Sequence, residues 1–107
     1  MDFLVIDDDQ TFREATCLLI DGESHYAEGV PTGQGGLALL KEEKFDAVLL
    51  DMHLGSENGL DLLVEIQKQH PHLPVVIFTA QGSVKTAVEA MRRGAVDFLE
   101  KPGPLSG

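Results

Sequence analysis

Four short apolar runs punctuate this chain, and each leads to a chemically capable side chain. Phe3-Leu4-Val5-Ile6 runs into Asp7-Asp8-Asp9, and Ala47-Val48-Leu49-Leu50 into Asp51. Val75-Val76-Ile77-Phe78 ends on Thr79, and Ala95-Val96-Asp97-Phe98-Leu99 leads through Glu100 to Lys101. Segments of helical periodicity lie between the runs, and that alternation predicts a parallel sheet wrapped by helices. Continuous apolar character implies strands covered on both faces. Open sheets of this kind hold their ligands beyond the C-terminal ends of the strands, so the function belongs at these four ends.

The expected strands are 2–6, 25–30, 45–50, 73–78 and 96–99, the second polar enough to suit a sheet edge. Asp9 caps the first helix, whose inner face carries Phe12, Ala15, Thr16 and Leu19 and which Gly22 ends. A second helix covers 35–44 with Leu37 and Leu40 inward. A third carries Leu60, Leu63 and Val64 and stops at His70-Pro71. Ser83 caps a fourth, with Val84, Ala87, Val88 and Met91 at i, i+3, i+4 and i+7, and Gly94 closes it as a left-handed cap. Residues 1–102 thus read as one domain, and 103–107 as a short irregular tail, the end of a truncated chain. Five strands with four helices leave one sheet face half covered, which suggests a partner, a second copy or a truncation.

Charge narrows the partners. Eighteen acids against eight Lys and Arg give a formal net charge of −10, so direct binding of nucleic acid is not expected. The apolar runs are too short to cross a membrane and an acid follows each, so a cytoplasmic chain is expected. The one cysteine, Cys17, agrees with a reducing compartment and reads as a small buried residue. His70-Pro71-His72 offers two imidazoles without a third ligand and reads as a solvated loop rather than a zinc site.

The strand ends point to magnesium and phosphoryl chemistry. Magnesium takes hard oxygen ligands, and Asp7, Asp8 and Asp51 can share one ion only if the first and third strands are neighbours, roughly 4.8 Å apart. Without the ion, mutual repulsion should raise at least one carboxyl pKa. Asp51 can accept a phosphoryl group as an acyl phosphate. The charge on its oxygens then calls for fixed donors: the Thr79 hydroxyl, backbone N–H groups near His53 and Ala80, and the Lys101 ammonium.

In this order, Val5-Ile6-Asp7-Asp8-Asp9, Leu49-Leu50-Asp51-Met52, Gly59-Leu60, Phe78-Thr79-Ala80 and Lys101-Pro102 resemble the CheY-like receiver domain of two-component response regulators. The resemblance spans residues 2–102 and is strongest to receivers of NtrC-type and FixJ-type transcription regulators. It implies a flavodoxin-like, doubly wound, five-stranded parallel sheet of order 2-1-3-4-5, here without the fifth helix. It implies that Asp51 is phosphorylated by a sensor histidine kinase, and that Asp7, Asp8, Asp51 and the His53 carbonyl bind Mg2+. Thr79 is implied as the switch hydroxyl, Phe98 as the switch aromatic and Lys101 as the phosphate contact. A cis Lys101–Pro102 bond is implied as well. Such a domain is no enzyme beyond its own phosphorylation and dephosphorylation. Its output domain lies outside this chain, and a homodimer is possible, although many receivers pair through a face of helix four, strand five and the fifth helix that is missing here.

Two departures stand out. Gly55 takes the place of a proline common in the family, which gives the loop after Asp51 more freedom. His53 and Gln81, two residues beyond Asp51 and Thr79, are expected to tune loss of the phosphoryl group through water access. Two rival readings remain. Asp7-Asp8-Asp9-Gln10-Thr11 fits the opening of haloacid-dehalogenase-like phosphatases, with Asp7 as nucleophile, but leaves Asp51 unexplained. The other rival is a receiver-like interaction module that is never phosphorylated, for which the intact acid set has no use.

Overall fold

The apolar runs form the strands of a parallel sheet in a computed structural model that describes residues 1–80 and 82–102. In chain order the elements are β1 (Asp2–Ile6), α1 (Gln10–Gly22), β2 (Tyr26–Val30), α2 (Gly33–Glu42), β3 (Ala47–Leu50), β4 (His53–Leu54), β5 (Glu57–Asn58), α3 (Gly59–Gln69), β6 (Val75–Thr79), α4 (Val84–Arg92) and β7 (Asp97–Glu100). The main sheet has the order β2-β1-β3-β6-β7 with every pairing parallel. This is the expected flavodoxin-like order, with the weak second strand at an edge. Strands β4 and β5 form a separate antiparallel hairpin that sequence reading missed.

Helix starts follow side-chain chemistry. Asp9, Thr32, Asn58 and Ser83 each stand at an N-cap and accept a backbone N–H of the first turn. The Thr32 cap starts α2 two residues earlier than the apolar periodicity suggested. At α4 the cap is reciprocal, because Thr86 Oγ1 also accepts the Ser83 N–H at 2.9 Å. Gly94, at φ +107°, follows α4 as the left-handed residue expected there.

The two faces of the sheet differ. Leu4, Ile6, Val48, Leu50, Val75 and Ile77 point to one face and are fully buried with Leu63 and Ile66 of α3 and Ala90 of α4, beside the buried Leu40 of α2. The alternate residues of β3 and β6, Leu49, Val76 and Phe78 among them, are only half-buried. Helix α1 lies on this second face, where Arg13 and Cys17 press on the bare backbone of Gly29 and the Phe12 ring meets Phe78. Cover on both faces therefore holds fully for one face only. On α1, Thr16 turns inward as expected, but Ala15 is exposed and Leu19 is 73% exposed, because α1 packs on β2 and β1 through other residues. Helix α4 departs further: Val84, Val88 and Met91 face solvent, while Ala90 is buried in the core. Among the described residues, no helix is long and apolar enough to cross a membrane.

On the edge strand β2, Glu28 Oε2 is buried and accepts no hydrogen bond from the described residues. Burial first, and then the facing carboxyl of Glu43, push the Glu28 pKa above its ordinary 4.5. A raised carboxyl value means that the folded chain holds its proton more tightly than the unfolded one. Glu28 is thus neutral below 4.5, and stability falls as pH rises through its raised value. Glu43→Gln removes the carboxyl facing Glu28 and should raise Tm at pH 7 by more than at pH 4, where Glu28 holds its proton. Thermal melts at the two values test this, and equal gains would remove carboxylate repulsion as the cause.

Candidate functional site

Each reactive residue stands one ladder bond past a strand. The Asp7 N–H donates to the Val30 carbonyl at 3.1 Å, the Asp51 N–H to that of Ile6 at 3.0 Å, and the Lys101 N–H to that of Thr79 at 2.8 Å. Because β1 lies between β2 and β3, with Ile6 paired to Leu50, Asp7 and Asp51 emerge side by side. Carboxylate oxygens of Asp7, Asp8 and Asp51 all lie within 4.8 Å of one another. Asp8 and Asp51 open, with Asp9, His53, Gly55, Thr79, Ala80 and Lys101, onto a depression of about 360 Å³.

Asp7 and Asp51 are buried, whereas Asp8 is exposed. One Asp7 oxygen accepts the Asp9 N–H at 2.9 Å, and the other meets Lys101 Nζ at 2.6 Å. Asp51 divides its oxygens in the same way, accepting the His53 N–H at 3.2 Å and Lys101 Nζ at 3.1 Å. The single ammonium bridges both buried acids, and its side chain is 7% exposed. Burial raises the Asp7 pKa, against the pull of Lys101 and of the Asp9 N–H, and the Asp51 charge adds the smallest upward push. One carboxyl is raised, as sequence reading expected, but desolvation rather than repulsion is the main cause. Burial lowers the Lys101 pKa, and its bonds to Asp7 and Asp51 more than reverse this, so it is raised. The donor set is all carboxylate oxygen, which suits a hard divalent cation such as Mg2+.

The chain after Asp51 is tightly held. Met52 and Leu54 are buried, and β4 pairs with β5 across a two-residue turn in which Gly55 takes φ +65°. Proline, locked near −65°, could not occupy that position. The glycine therefore serves a hairpin turn, not the added loop freedom read from sequence. Glu57 Oε1 then accepts the Gly33 N–H at 2.9 Å, tying the hairpin to the start of α2. Gly59 closes the loop, donating its N–H to the Met52 carbonyl at 2.8 Å. A Cβ at Gly59 would lie 2.5 Å from the Asp51 carbonyl oxygen and from Met52 Cα. Backbone cannot give way as a flexible side chain can, so Gly59→Ala should cost about 1–3 kcal/mol. That lowers Tm by roughly 5–20 °C at this size, and a melt unchanged within 2 °C would refute the close approach.

The structure brings together Asp7, Asp8, Asp51, His53, Thr79, Ala80 and Lys101. Thr79 is fully buried and His53 is exposed. Phe98 is half-buried against the core, its ring lying where a Cβ on Gly82 would come within 2.8 Å of it. The Lys101–Pro102 bond is not cis: no cis peptide occurs among the described residues, and the intrinsic trans preference of about 0.5–1 kcal/mol prevails. Gln81 and the tail 103–107 lie outside the described residues. Sequence reading missed Arg13, whose guanidinium donates to the Asp7 carbonyl at 2.8 Å, and Phe12, whose ring lies 4.2 Å from Lys101 Nζ. Their positions six and three residues after Asp7 and Asp9, on the first turns of a capped helix, were the available signal.

Residues 3–106 match the response regulator receiver domain family. The chain belongs to that family. This receiver is 42% identical over 101 residues to the response regulator protein FleR of Pseudomonas aeruginosa, covering 92% of this chain and 21% of FleR. Relatives of this kind are NtrC-family regulators, one of the two groups the sequence resembles, and the chain spans less than a quarter of their length. The solved receiver domain of NtrX from Brucella abortus superposes with a TM-score of 0.89 at 40% identity, over 96% of this chain and 88% of that one. A response regulator protein from Burkholderia pseudomallei, solved with a phosphorylated aspartic acid, a calcium ion and citrate, gives a TM-score of 0.89 at 30% identity. That match covers 97% of this chain and 61% of the other. The phosphatase reading finds no support in these matches. This is a receiver domain of two-component signalling, and receivers of transcription regulators are typically not enzymes.

Proposed function

We propose that this receiver takes a phosphoryl group from the phosphohistidine of a sensor kinase onto Asp51, assisted by Mg2+. The observation that carries the proposal is the Asp51 carboxylate, bridged to Asp7 by Lys101 at the floor of the open acidic depression. Asp7, Asp8, Asp51 and the His53 carbonyl would hold the cation, which supplies charge that offsets the approach of one anion to another.

An Asp51 oxygen forms a bond to phosphorus as the P–N bond to the donor imidazole breaks, and the imidazole leaves with the electron pair. The group then carries about −1.5 to −2 charge. Lys101 moves from its two carboxylates toward a phosphoryl oxygen, the Thr79 hydroxyl donates to another, and the His53 and Ala80 N–H groups line the remainder. Withdrawal of Thr79 makes room that Phe98 can enter, which changes the α4–β7 surface where Val84, Val88 and Met91 lie exposed. A full reversal from 1:99 to 99:1 needs about 5.5 kcal/mol, and charge-assisted contacts to one acyl phosphate are of that order. The chain acts only on its own Asp51. Its output domain, a transcription regulator's, lies outside residues 1–102, and the exposed α4 stripe suits pairing with that domain or a second copy.

Incubation with acetyl phosphate, with and without Mg2+, followed by intact mass, tests the proposal. One added phosphoryl group that depends on Mg2+ is expected. A folded protein that gains none would instead be an unphosphorylated interaction module.

A further inference from the structure

Lys101 has a third contact that the carboxylates do not explain. Its Nζ lies 2.6 Å from Asp7 and 3.1 Å from Asp51, and the Phe12 ring centroid is 4.2 Å away. An ammonium has three N–H donors, and two are accounted for by the acids. The remaining side faces an aromatic π-system, which attracts a cation and offers no lone pair. Phe12 is itself fixed from two directions. Its N–H bonds the Asp9 cap at 3.1 Å, so the acidic loop sets its place on α1. Its ring meets Phe78 edge-on, with centroids 5.2 Å apart, and Phe78 directly precedes Thr79.

We propose that Phe12 is a positioning residue for the phosphoryl-transfer site, its ring acting as the seat on which the Lys101 ammonium is held and from which it turns toward the incoming group. The inference rests on the receiver reading above and extends it to a residue on α1. The ring excludes water from one side of Nζ, and the pairing with Asp7 and Asp51 is stronger in a drier site. It also stays in contact while Nζ exchanges a carboxylate oxygen for a phosphoryl oxygen, so Lys101 is never released to solvent between the two. A leucine of similar bulk would still pack on Phe78 but would provide no π-face, which separates seating from plain packing.

The test compares Phe12→Leu and Phe12→Tyr with the parent, first without phosphoryl donor. Aromatic ring currents should shift the Lys101 ε-CH2 proton signals upfield in the parent and in Phe12→Tyr, and Phe12→Leu should abolish that shift. With acetyl phosphate and Mg2+, Phe12→Leu should lower the phosphorylation rate roughly fivefold, the size expected of one partly desolvated cation–π contact. Phe12→Tyr should restore it. In a Lys101→Met background, Phe12→Leu should change the rate less than twofold, because no ammonium remains to be seated. The proposal is overturned if the ε-CH2 signals are unshifted in the parent, if Phe12→Leu phosphorylates at the parent rate, or if its loss persists undiminished without Lys101. A parent that takes up no phosphoryl group at all would defeat the receiver reading, and the ring-current shift would still decide whether Phe12 seats Lys101.

Discussion

Asp51→Asn should take up no phosphoryl group from acetyl phosphate at any Mg2+ concentration while remaining folded. The amide keeps the shape of the carboxylate and can still accept the His53 N–H, found at 3.2 Å, so Tm should change little. What it lacks is a nucleophilic anionic oxygen. Asp7→Asn makes the informative contrast. It weakens the oxygen cluster but leaves Asp51 in place, so labelling should slow by about 10–100-fold and not vanish. Intact masses of both variants over a time course decide the matter. A label that survives Asp51→Asn and disappears in Asp7→Asn would make Asp7 the nucleophile.

Lys101→Met should produce the largest stability change of any single substitution at the site. The ammonium is the shared partner of two buried carboxylates, so its removal leaves both without a counter-charge. Breaking a buried pair costs about 3–5 kcal/mol. The lower end applies here, because the Asp9 and His53 N–H groups stay bonded to the acids and the raised Asp7 carboxyl can take up a proton. At this chain length, Tm should fall by roughly 10–20 °C without divalent cation. Mg2+ bound among the same oxygens should recover part of the loss, by more than it stabilises the parent. Melts of both proteins with and without Mg2+ measure this. A drop identical in the two buffers would mean that Lys101 contributes packing and not charge.

The strand ends were legible because parallel strands write themselves as Val/Ile/Leu runs, and Asp7, Asp51, Thr79 and Lys101 each directly follow one or come shortly after. The order of the sheet came from the resemblance, since nothing in the runs alone says that β1 lies between β2 and β3. The hairpin of β4 and β5 stayed hidden because two-residue strands carry no periodicity, and its one signal, Gly55, suggested freedom rather than a turn. The α4 stripe misled for a different reason. Helical spacing shows that Val84, Val88 and Met91 share a face but not which way that face points, and Ala90, outside that stripe, is what the core buries. Phe12 read as an ordinary inward aromatic. A cation–π contact between residues 12 and 101 depends on two strand ends and a helix meeting, which local patterning does not encode.

The ladder bonds that hold Asp7, Asp51 and Lys101 have a consequence for how this framework can be re-engineered. Each of these backbones is clamped by a neighbouring strand's last carbonyl, so the spacing of the reactive groups is inherited from sheet register rather than from the loops that cross the depression. Gly55 and Ser56, at the hairpin tip, belong to no such clamp. Variation at Ser56, with Gly55 kept for its +65° turn, can reshape who reaches the depression while the carboxylates stay where the sheet puts them. A one-residue slip of β3 against β1 would instead carry Asp51 to the opposite face and erase the site at a stroke.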